Sequence, residues 1–162
     1  MKKFLVVALV AAALLILAVP VFGNGVVHRV SVGSPDWCYP DKPGCDANLS
    51  ILAIEYADGS VKGELTDSWG NGGFYNAKID CLVVVGNEAW VSGVVTAGKS
   101  PGGFDYRGIH IFTRVKDMGT SANDPPDQLA FVGFYGFNEI DCTAPPYPLG
   151  LYDAPQGQVI VK

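Results

Sequence analysis

The residues able to do chemistry in this sequence are few and dispersed. The richest run of hard oxygen donors is 117–127, DMGTSANDPPD, in which Asp117, Asn123, Asp124 and Asp127 are candidate calcium ligands. Their spacing is not that of an EF-hand, because nothing supplies ligands at alternate positions and no bidentate Glu follows. Asx residues and prolines are also what any tight turn uses, so turn-making competes with metal binding here. His110 lies in a strand-like run, where alternation puts it on one face with Phe112 and Arg114. A general base at that position needs a nucleophile or a substrate proton in reach, and no serine sits in a G-x-S-x-G elbow. The chain has 16 carboxylates, but no spacing selects two of them as a glycosidase pair. No catalytic residue and no cofactor follows from these patterns.

Aromatic side chains are the second resource. Trp69, Phe104 and Tyr106 fall in or beside glycine-rich loops, where a surface for a small molecule or a saccharide would be built. Trp90 and Phe131 lie inside strand-like runs and are expected to fill the interior.

The four cysteines, Cys38, Cys45, Cys81 and Cys142, follow an apolar leader. An even number in an exported chain reads as disulfides, with three possible connectivities. The segment CYPDKPGC closes easily on itself as Cys38–Cys45, which leaves Cys81–Cys142 as a long-range staple. Zinc is the weaker reading, since no C-x-x-C pair exists and only His28 and His110 offer imidazoles.

The leader itself is residues 1–23. Lys2 and Lys3 precede an apolar run at 4–18, Pro20 breaks any helix, and Val21-Phe22-Gly23 suits a cleavage site. It reads as a secretory signal peptide cleaved near Gly23, which implies a secreted, periplasmic or cell-surface protein. The rival reading is an uncleaved membrane anchor. Beyond this segment no membrane association is expected. Residues 24–162 then form a single domain. Its charge is 9 − 16 = −7, because two of the 11 basic residues and none of the acidic ones lie in the leader. That balance excludes nucleic acid as a partner, which needs clustered Lys and Arg. Asn48-Leu49-Ser50 fits the acceptor pattern for N-glycosylation.

The elements that position these residues are strands. Val, Ile and aromatic runs separated by turn clusters, with most of the 20 glycines, predict an all-β fold. Strands are expected at 25–33, 48–57, 60–69, 74–85, 88–98, 107–116, 128–137 and 158–162, with a short piece at 149–152. Asp58-Gly59 is a strong hairpin signal. A two-residue loop there pairs Tyr56 with Val61, Ile54 with Gly63 and Leu52 with Leu65 on an apolar face, and Glu55 with Lys62 on a charged one. Gly86-Asn87 suits a type II′ turn that opposes Val85 to Glu88, Val83 to Trp90, Cys81 to Ser92 and Ile79 to Val94. Both faces of that second hairpin are apolar, so it belongs at the centre of the sheet. About eight strands joined as a meander predict a small antiparallel β-barrel or a related sandwich, stapled by disulfides.

The pattern Asp58-Gly59-x-x-Lys62-Gly63, Cys81-x-x-Val84-x-Gly86-Asn87-x-Ala89-x-x-x-Gly93, Asp117-x-Gly119 and Pro126-Asp127 resembles small exported β-rich prokaryotic proteins of unknown function. The resemblance spans roughly residues 50–135 and rests on turn residues. It implies a small antiparallel barrel and carries no activity, cofactor or catalytic residue.

The function expected from these residues is that of a non-catalytic binding module for a small molecule or a saccharide. The alternatives are a structural or interaction protein of the cell envelope, and a hydrolase or isomerase working at a barrel mouth near His110.

Overall fold

The computed structural model describes residues 25–35, 47–121, 123–138, 140–143 and 149–162. The leader and the Cys38–Cys45 loop lie outside them. The described chain is all-β. Its strands are β1 (Val26–Ser34), β2 (Ala47–Tyr56), β3 (Val61–Trp69), β4 (Phe74–Val85), β5 (Glu88–Lys99), β6 (His110–Lys116), β7 (Gln128–Leu129), β8 (Gly133–Phe134), β9 (Tyr152–Asp153) and β10 (Gln158–Val161). They form one antiparallel sheet in the order β10-β1-β2-β3-β4-β5-β6-β7-β9, with β8 also on β6. The sheet curls into a half-barrel. The segment 128–137, expected as one strand, is split into β7 and β8, because Ala130 and Thr113 pair instead through Ala130 N–H to the Arg114 carbonyl and the Thr113 hydroxyl to the Ala130 carbonyl.

Alternation builds the concave face. Ala47, Leu49, Ile51 and Ala53 point inward from β2, with exposed Asn48, Ser50 and Leu52 between them. Leu65, Tyr75, Ala77, Ile79, Val91, Val95, Ile111 and Val115 complete the same core with Val30 and Val159.

The first hairpin differs from the expectation. Ile51 faces Leu65, Ala53 faces Gly63 and Ile54 faces Lys62, so β2 is displaced by one residue from the two-residue loop. Tyr56 N–H donates to the Ser60 carbonyl and Gly59 N–H to that of Tyr56, with Gly59 at φ +78°. The loop is therefore the three-residue type with a glycine in the left-handed region. A slip of one residue flips every side chain of one strand: Leu52 turns outward, 40% exposed, and Ile51 goes in. Lys62 reaches the Tyr56 ring at 5.6 Å rather than Glu55.

The second hairpin keeps the expected register from Val85–Glu88 to Cys81–Ser92, and Gly86 has φ +62°. A bulge at Asp80 then shifts it, so that Ile79 opposes Gly93 rather than Val94. A Cβ on Gly93 would lie 2.2 Å from the Lys78 carbonyl oxygen; only glycine lets β5 approach the bulge.

This hairpin is central, between β3 and β6. Its convex face is apolar because late chain covers it. Cys81 is disulfide-bonded to Cys142, Ser92 is buried and its hydroxyl meets the Ile140 carbonyl at 3.5 Å, and Phe112 is fully buried against Tyr135. Trp90 also belongs to this face and does not fill the interior. The register sends Ala89 and Val91 inward, and Trp90 lies under the Arg114 guanidinium, 5.1 Å from the ring centre. Arg114 in turn is ion-paired with Glu88, whose other oxygen takes Lys116 at 3.2 Å. Phe131 packs against the core, its ring 5.2 Å from that of Tyr152.

Candidate functional site

The two ends of the half-barrel are built differently. At one end, the candidate calcium residues serve the backbone. Asp127, buried, accepts Met118 N–H on one oxygen (2.7 Å) and Val159 N–H on the other (2.6 Å). Asp117 likewise accepts Gly119 N–H and, on its other oxygen, Val161 N–H. Asp124 caps Ser121 N–H, and Asn123 N–H donates to the Ser121 hydroxyl. Two carboxylates thus take the place of a neighbouring strand along β10, tying it to the chain that follows β6. Among the described residues no group of three or more His, Cys, Asp or Glu side chains is arranged to hold a metal ion.

The opposite end gathers rings. Trp69 closes β3, Tyr75 is the second residue of β4, Phe104 and Tyr106 stand on the 100–109 loop, and Phe134 comes from β8. Trp69 lies against Tyr75 (centroids 5.8 Å apart) and Tyr106 (6.3 Å). Tyr106 meets Tyr75 at 6.3 Å, Phe104 at 5.5 Å and Phe134 at 4.8 Å. The three loop aromatics singled out in the sequence therefore form one contiguous cluster.

Local chemistry places them. Trp69 folds over Gly73, where a Cβ would come within 2.1 Å of the indole. The loop bearing Phe104 and Tyr106 is held by the Lys99–Asp105 bridge, by the Ser100 hydroxyl accepting Phe104 N–H, and by Tyr106 N–H donating to the Gly98 carbonyl. The Arg107 guanidinium donates to both Asp105 oxygens, to Oδ2 at 2.8 and 2.6 Å and to Oδ1 at 3.1 Å, which holds the carboxyl below the usual range.

Beneath the rings lies a pair the sequence reading missed. Asp67 of β3 is the ladder partner of Tyr75 of β4. Burial lifts the Asp67 carboxyl to about 6, only partly opposed by the nearby Tyr75 hydroxyl and by Ser68 N–H. Burial, then the Asp67 charge, drives the Tyr75 phenol well above its usual value, so it stays a neutral donor. The contact falls short of a formed hydrogen bond: Asp67 Oδ1 and Tyr75 Oη are both buried and unpartnered. One signal was available. Val61, Gly63 and Leu65 form the inward series of β3, and Asp67 is its next member.

His110 is not part of this end's polar pair; only its backbone enters the described hydrogen bonds, N–H to the Gly136 carbonyl and carbonyl to Tyr135 N–H. The fold and this site define a class: an antiparallel β half-barrel with an aromatic cluster over a carboxylate–phenol pair. No family model, curated protein or solved structure matches the chain.

Proposed function

We propose that this protein is an exported, non-catalytic binding module that takes a small organic molecule or a saccharide at its aromatic end. The observation that carries this reading is the convergence of Trp69, at the end of β3, with Phe104 and Tyr106 of the 100–109 loop into one cluster, with Phe104 61% exposed at its rim. The apolar leader and the Cys81–Cys142 bond support export. Calorimetric titration with panels of saccharides and small apolar compounds tests it. At least one class is expected to bind, and Phe104→Ala with Tyr106→Ala to weaken it roughly tenfold. Silence across both panels, or full binding by the double variant, overturns the reading.

One observation favours a second reading, an interaction protein of the cell envelope. Phe104 and Phe137 are 61% and 76% exposed, large apolar side chains of the kind a protein partner covers. A stable protein partner recovered from envelope extracts, and lost on Phe137→Ser, is its expected outcome.

A further inference from the structure

We propose that the ligand of the aromatic end is an organic cation, a protonated primary amine, held by the Asp67 carboxylate and walled by the rings of Trp69, Tyr75 and Tyr106. This rests on the binding reading above and names its ligand.

Three observations converge on it. First, Asp67 is a half-buried acid, with its Oδ1 fully buried, and it has no cation. Among the described residues the ion pairs are Arg107–Asp105, Arg114–Glu88 and Lys116–Glu88, and none reaches Asp67. A desolvated carboxylate is costly unless a positive charge or hydrogen bonds compensate it. Second, both atoms left open can accept a hydrogen bond, the carboxylate oxygen directly and the neutral phenol through its oxygen lone pairs. Asp67 Oδ1 and Tyr75 Oη, the latter on a side chain with no exposed surface, have no partner. An ammonium can donate one N–H to each of these oxygens. Third, the rings are inclined rather than stacked. Trp69–Tyr75, Trp69–Tyr106 and Tyr75–Tyr106 make interplanar angles of 51°, 74° and 77°. A cation admitted among these three rings would meet aromatic π systems as well as the carboxylate.

A neutral alcohol or sugar could satisfy the same two oxygens, yet it leaves the negative charge uncompensated. An anion is repelled. The acidic chain, with formal charge −5, steers cations toward the site. Entry requires Trp69 or Tyr106, both half-buried, to swing outward; Trp69 is followed by the glycine-rich turn 70–73, with Gly72 at φ +88°.

The test is calorimetry on the full chain with 2-phenylethylammonium and its neutral counterpart 2-phenylethanol. The ammonium is expected to bind roughly tenfold or more tightly than the alcohol, the scale of a desolvated cation–π contact. Asp67→Asn, which keeps the shape and removes the charge, should abolish that preference. Tyr75→Phe, which keeps the charge and removes one acceptor, should weaken the ammonium several-fold and retain the preference. Circular dichroism establishes that each variant is folded, and the Tyr75→Phe result decides if Asp67→Asn is not. Equal affinities, a preference surviving in Asp67→Asn, or an ammonium that does not bind overturns the proposal. If saccharides or the alcohol bind and the ammonium does not, the binding reading stands without it. If nothing binds, both fall.

Discussion

Asp67 and Tyr75 face each other across the β3–β4 ladder, and each buries an oxygen that no hydrogen bond satisfies. An acid and a phenol placed this way cost stability, and the cost depends on pH.

The Asp67 carboxyl sits at about 6 in the folded chain against 3.8 for the free group. Between those values the folded state holds more protons than the unfolded state, so stability falls as pH rises through the window. The favourable contribution is complete below 3.8 and lost above about 6. The gap corresponds to about 3 kcal/mol. Asp67→Asn should therefore raise the urea midpoint at pH 8 and flatten the slope between pH values of about 4 and 6. An unchanged slope in the variant would assign the buried charge elsewhere.

The Cys81–Cys142 bond closes a separation of 61 residues. Loop-closure entropy makes such a staple worth about 4 kcal/mol. Cys81→Ala with Cys142→Ala, compared by chemical denaturation with the oxidised parent, should lose stability of that order. The 140–143 segment should also exchange its amides faster, because its anchor to the convex face is gone.

Asp127 satisfies two backbone donors on different segments, Met118 and Val159. Asp127→Ala strands both and should cost about 3 kcal/mol, since each is a hydrogen bond to a charged group. Hydrogen exchange at the Val159 amide is the direct measurement. Protection equal to the parent's would mean that β10 is held without this carboxylate.

Gly93 has no room for a side chain beside Ile79 and the Lys78 carbonyl. Gly93→Ala is expected to destabilise by about 2–3 kcal/mol, the usual size of an overpacking penalty. Gly33→Ala, where nothing lies within 4 Å of the added methyl, should be nearly neutral and serves as the control in the same thermal melts.

Much of the frame was legible from residue order alone. The all-β class, the central place of the 74–99 hairpin, its register from Gly86 to Cys81 and the Cys81–Cys142 pairing all follow from local turn chemistry, from alternation and from cysteine elimination. A glycine at the first turn position and apolar residues on both faces allow few other solutions. The 128–137 run resisted the same treatment: its aromatics suggest a strand, yet β6 takes up only Leu129 with Gln128 and Gly133 with Phe134.

What only the tertiary structure decided is which residues share the concave face and what they meet there. One extra loop residue at Gly59 inverts β2, and one bulge at Asp80 moves Gly93 opposite Ile79. Neither is dictated by its own segment, because the choice between turn types is worth little locally and is settled by how much apolar surface the whole sheet buries. The aromatic end depends on the same sum. Trp69, Tyr106 and Phe134 are far apart in the chain and meet over Asp67 and Tyr75 because the curl of one sheet brings β3, β4, β6 and β8 to a common rim.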